Sequence, residues 1–141
     1  MVGIDGSEGS LRALRWAAEE ARFRSARLRA VFAWEPPTQI VGGMGWIAPT
    51  AAMLEEYGKR AHERLDEALA PLGHELEGLE VERNAVHGAP AAVLLEAAEG
   101  AAELVVGTRG RGGFVGLLLG SVSQQCSHHA PCPVVIVPPA Q

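Results

Sequence analysis

Residues 107–123, Gly107-Thr108-Arg109-Gly110-Arg111-Gly112-Gly113-Phe114-Val115-Gly116-Leu117-Leu118-Leu119-Gly120-Ser121-Val122-Ser123, decide how this chain is read. Just before them runs Glu103-Leu104-Val105-Val106, a short apolar segment bounded by turn residues, which reads as a buried strand. Just after them Ser121 opens a segment that Pro131 and Pro133 stop, and a helix fits it best. The order is strand, glycine-rich loop, helix N-terminus. That order has a physical use. The first N–H groups of a helix lack intrahelical partners and lie at the positive end of its dipole, so the place suits a phosphate. Glycines permit positive φ and let backbone donors approach an anion with no Cβ between. Ser121 and Ser123 add hydroxyl donors at the same end. Phe114, Val115 and Leu117 to Leu119 make the stretch too apolar for a merely solvated loop.

Working outward, 141 residues suit one domain spanning 1–141, large enough to bury a core. Apolar residues are 48% and charged residues 21%, as in a soluble globular protein. The net charge of −5 offers no basic footprint for nucleic acid. Of the twelve basic residues only Lys59 is a lysine, so no lysine follows the last glycine as a Walker-type phosphate loop requires. No apolar run reaches the length of a membrane span and no signal-like leader is read. Cys126 and Cys132 form neither a CxxC pair nor a disulfide framework, so reduced thiols in the cytoplasm are expected. The five histidines show no metal-ligand spacing.

The remaining segments alternate in the same way. Residues 2–5 end a short first strand. Ser7 or Ser10 then caps a helix whose Leu11, Leu14, Ala18 and Ala21 share one face, with Glu8–Arg12 and Arg15–Glu19 as solvated pairs. Residues 28–34 read as strand two, cut by Glu35-Pro36-Pro37. Residues 35–49 read as a long aperiodic connection, of the kind that serves as a flap. From about Thr50 one helix carries Leu54, Tyr57, Ala61, Leu65, Ala68 and Leu72 as a core stripe. Residues 79–86 alternate as a half-exposed edge strand, and Pro90 begins a helix ending near Gly100. Residues 133–137 form strand five. Such alternation predicts a parallel sheet with helices on both faces. For strand order 3-2-1-4-5 the order reverses between strands one and four. The turn at Asp5-Gly6-Ser7 and the glycine loop then face one cleft.

The spacing of Gly107, Gly110, Gly120 and Ser121 (glycine, two residues, glycine, nine residues, glycine, serine) resembles the ATP-binding signature of the universal stress protein family. The likeness extends to Val2-Gly3-Ile4-Asp5-Gly6-Ser7, to Gly88 with Pro90, and to His129-Ala130-Pro131-Cys132-Pro133 with the strand after it. The short first strand departs from the usual pattern. The resemblance implies a three-layer α/β/α sandwich of the adenine nucleotide alpha hydrolase type. It implies Asp5 beside the ribose and phosphates, the backbone near Ala33 at the adenine edge, and Val106 and Thr108 near the sugar. The loop from Gly107 to Gly110 would wrap the phosphates, with Gly120, Ser121, Val122 and Ser123 as donors. Arg109 and Arg111 either reach the outer phosphates or point to solvent. A carboxylate beside a polyphosphate is repulsive without a cation, so Asp5 implies Mg²⁺ or a ribose hydroxyl as its partner.

The functional expectation is an ATP-binding regulatory module of the stress response with little or no turnover. One alternative is a slow ATPase, or phosphoryl transfer to Ser121 or another hydroxyl. Another is a dimeric interaction module that holds no nucleotide. The uniformly apolar Val134–Val137 would lie at a sheet edge, and a homodimer through it is expected, as the family implies.

Overall fold

The computed structural model describes residues 1–37, 40–41, 45–46, 48–110 and 118–140. Its main sheet is parallel throughout and contains β1 (Val2–Ile4), β2 (Leu28–Trp34), β5 (Val81–His87), β6 (Leu104–Gly107) and β7 (Val134–Val137). The spatial order is β5-β2-β1-β6-β7, which is 3-2-1-4-5 when the sheet strands are counted along the chain. This is the expected order.

A second, antiparallel pair joins β3 (Ile40–Val41) to β4 (Gly45–Trp46) within the segment read as an aperiodic connection. Two-residue strands are too short to leave a period in the sequence, so the pair escaped that reading.

Helix α1 (Glu8–Phe23) starts where Ser7 caps it: Ser10 N donates to Ser7 Oγ at 3.2 Å, and Ser10 Oγ donates back to Ser7 O at 2.9 Å. Its inner face is mostly alanine (Ala13, Ala17, Ala18, Ala21) around the buried Leu14, which lets the helix lie close on β1 and β6. Arg12 pairs with Glu8 as expected, at 3.8 Å, but Arg15 reaches Glu75 at 3.5 Å rather than forming the expected pair with Glu19.

Helix α2 (Ala51–Leu69) is capped by Thr50, whose Oγ1 accepts from Met53 N. It stops short of the predicted stripe's end. Pro71 cannot donate to the preceding turn, so residues Ala70–Leu72 tighten into a 3₁₀ turn before the short α3 (Gly73–Leu76). Leu72 still packs fully into the core from that turn. Helices α4 (Pro90–Ala97) and α5 (Ser121–His129) complete the fold.

Alternate residues of the central strands feed two cores. Ala30, Phe32 and Val105 join Leu14, Leu65 and Leu69 beneath α1 and α2. Val31, Leu104 and Val106 join Leu94 and Cys126 beneath α4 and α5. Burial on both faces explains why these strands read as continuous apolar runs.

Candidate functional site

The carboxyl ends of β1, β2 and β6 open into a cavity of about 610 Å³ between α4 and α5. Its position is the reversal point of the strand order, where ligands of open α/β sheets sit. Of the residues singled out in the sequence, Asp5, Ala33, Val106, Gly107, Arg109, Gly110, Gly120, Ser121, Val122 and Ser123 all line it. Thr108 does not. Arg111 lies outside the described residues, as do the other loop residues through 117.

Asp5 is held by the turn that begins α1: its Oδ1 accepts from Ser7 N at 2.9 Å. Its Oδ2 lies against Gly110, where an added Cβ would collide with the carboxylate. Gly107 is a glycine for a different reason. A Cβ there would lie 2.8 Å from the carbonyl carbon of Gly9, so its absence lets the start of α1 rest on the end of β6. Together these contacts bring the Asp5 turn and the glycine loop to one rim of the cavity.

Thr108 serves the site through its backbone. Its N–H donates to Val137 O at 3.1 Å, extending the β6–β7 ladder. Its carbonyl accepts from Gly120 N at 2.7 Å and from Ser123 Oγ at 2.8 Å. The Ser123 hydroxyl also contacts Gly120 O at 3.0 Å, so its one hydrogen is already committed within the protein. The expected hydroxyl donors therefore separate: Ser121 is exposed at the cavity, whereas Ser123 is buried and occupied. Gly120 is the N-cap of α5 and supplies no side-chain acceptor, so the helix presents its first amides uncapped.

Beyond Ala33, Val106 and Val122, the apolar walls of the cavity are not legible as site residues in the sequence. Val31 lines the cavity with Ala33, Pro90 and Leu94 close it from α4, and Leu119 and Ser10 contribute from the loop and α1. Alternation along β2 was the available signal for Val31, which shares a face with Ala33. Nothing in the local pattern of α4 shows that it borders β1, although Leu94 lies so close that a Cβ at Gly3 would meet it at 2.8 Å.

Arg109 and Asp5 are the charged residues of the described lining, one of each sign. Among the described residues no cluster of three or more His, Cys, Asp and Glu side chains is placed to hold a metal. The donor set nevertheless fits Mg²⁺ carried by a ligand, because that ion is commonly held by one or two carboxylates plus substrate phosphates. Cys126 and Cys132 are both free thiols. Burial pushes the Cys126 thiol above its ordinary pKa, as it does that of Cys132. No described helix is long and apolar enough to cross a membrane.

This architecture can be set beside known proteins. The universal stress protein family model matches residues 1–138. A universal stress protein of Mycolicibacterium smegmatis is 40% identical over 139 residues, covering 99% of this chain and 45% of that protein. The chain thus spans a little under half the length of that relative. A crystal structure of a universal stress protein in complex with cAMP superposes with a TM-score of 0.70 at 30% identity, covering 96% of this chain and 93% of that one. A universal stress protein from Archaeoglobus fulgidus in complex with dAMP gives a TM-score of 0.63 at 26% identity, with coverages of 96% and 93%. Sheet order, glycine spacing and a whole-chain family match converge: this chain belongs to the universal stress protein family.

Proposed function

We propose that this domain binds an adenine nucleotide and works as a nucleotide-dependent regulatory module of the stress response, with little or no turnover. One observation carries the reading. Residues as far apart in sequence as Asp5, Ala33, Gly107 and Gly120 line a single cavity at the reversal point of the sheet. The cAMP and dAMP complexes of similar proteins support the ligand class.

In this reading the base lies among the apolar walls, with the backbone near Ala33 at its edge. The sugar lies near Val106, with Thr108 at its border through the backbone. The phosphates face Gly107, Arg109, Gly110, the amides of Gly120, Ser121 and Val122, and the Ser121 hydroxyl. The uncapped start of α5 favours negative charge there. The glycine spacing supports ATP as the ligand, with Mg²⁺ between its phosphates and Asp5. The described lining holds neither lysine nor histidine, which supports storage or signalling over phosphoryl transfer. Free thiols at Cys126 and Cys132 support a cytoplasmic setting, and the apolar edge strand β7 supports a homodimer.

The test is mass spectrometry of small molecules released when freshly purified protein is denatured, paired with incubation in labelled ATP. An adenylate near one per chain with negligible phosphate release is the expected result. Steady release abolished by Asp5→Ala, with binding retained, would instead make the protein an ATPase.

A further inference from the structure

Three helices begin near serine or threonine residues. The hydroxyl one turn in donates to the cap carbonyl in α1 (Ser10 Oγ to Ser7 O, 2.9 Å) as in α5. Of the three only α5 lacks a cap side chain that accepts, and its hydroxyl also reaches the end of the sheet. In α1 and α2 the cap side chain accepts an amide hydrogen: Ser10 N donates to Ser7 Oγ at 3.2 Å, and Met53 N donates to Thr50 Oγ1 at 3.3 Å. Each cap thereby satisfies one of the helix's orphan donors. In α5 the cap position is Gly120, which has nothing to accept with. Ser123, one turn in and 3% exposed, instead donates outward to Thr108 O at 2.8 Å and Gly120 O at 3.0 Å. Gly120 N reaches the same Thr108 carbonyl at 2.7 Å, and Thr108 N is itself fixed to Val137 O. The helix start is thus tied to the sheet without a side chain occupying any of its leading amides.

We infer that Ser123 is a positioning residue: its hydroxyl clips the first turn of α5 to the end of β6, holding the amides of Ser121 and Val122 at a fixed place relative to Gly107 and Gly110. The phosphate of a bound adenylate is then met by those amides and the Ser121 hydroxyl, while Ser123 touches only protein. This inference rests on the reading of the cavity as an adenylate site.

Comparison of AMP with adenosine, which lacks the phosphate, isolates the effect. Calorimetry on wild type, Ser123→Ala and Ser123→Thr gives both affinities, with thermal midpoints recorded alongside. Ser123→Ala is expected to lose about three- to tenfold in AMP affinity, the range for one hydrogen bond, while adenosine affinity holds within about twofold. Ser123→Thr, which keeps the hydroxyl, restores AMP binding. Should its added methyl lower the midpoint, the alanine variant decides alone. Equal losses for AMP and adenosine would make Ser123 a general packing residue, and unchanged AMP affinity would show that the clip does not set the phosphate turn; either overturns the inference. A wild-type protein that binds AMP normally leaves the site standing in both cases. One that binds neither compound, and no ATP with or without Mg²⁺, overturns the site as well.

Discussion

Asp5 is where the turn into α1 and the glycine loop touch, its two oxygens divided between Ser7 N and the face of Gly110. A carboxylate so placed is fixed before any ligand arrives, and preorganisation of this kind reduces the cost of binding. Cys126 shows the opposite use of burial. It is fully buried on the inner face of α5, against α4 and the sheet, and desolvation raises its pKa, because the thiolate is the form that loses water. In the unfolded chain the thiol titrates at its ordinary value. Below that pH both states are protonated and stability is undiminished. As pH climbs toward the raised pKa the unfolded state loses its proton first, and stability falls. Denaturant midpoints taken between neutral and alkaline pH should therefore decline less steeply in Cys126→Ala than in wild type. Identical slopes would remove Cys126 as the cause.

At the scale of elements, the contact between α1 and β6 carries both fold and site. Gly107→Ala puts a methyl group 2.8 Å from the Gly9 carbonyl carbon, a backbone atom that can yield only if α1 shifts. Overpacking of this sort costs about 1–3 kcal/mol. A lowered denaturation midpoint together with weakened adenylate binding is expected, and a variant as stable as wild type would show that α1 has slack. Helix α1 itself was legible in the sequence because a serine, Ser7 or Ser10, marks its start and Leu11, Leu14, Ala18 and Ala21 recur on one face. The end of α2 was legible in part, since Pro71 was visible but the periodic stripe through Leu72 outran it. The β3–β4 pair left no period to read. The glycine spacing announced one rim of the site, and α4's Pro90 and Leu94 were hidden because only the sheet order brings them beside β1. The direction in which the Ser123 hydroxyl donates is likewise a fact of three dimensions that residue type cannot convey.

At the scale of the whole molecule, β7 pairs with β6 on one side and, among the described residues, ends the sheet on the other. Its four residues are all apolar and all partly exposed, an edge without the charges or proline that usually deter pairing. The proposed homodimer joins two such strands antiparallel across a two-fold axis. Ile136→Asp introduces a charge into that edge, and sizing chromatography should then show the mass of a single chain. A mass unchanged from that of the wild type would place any interface elsewhere.

The most direct measurement of the central claim is calorimetric titration of the wild-type protein with AMP, cAMP, ADP and ATP, each with and without Mg²⁺. The account predicts saturable binding of at least one adenylate at about one molecule per chain, the value for a single cavity at one sheet reversal. Absence of saturable heat, with equilibrium dialysis likewise showing no retained adenylate under any of these conditions, would contradict it.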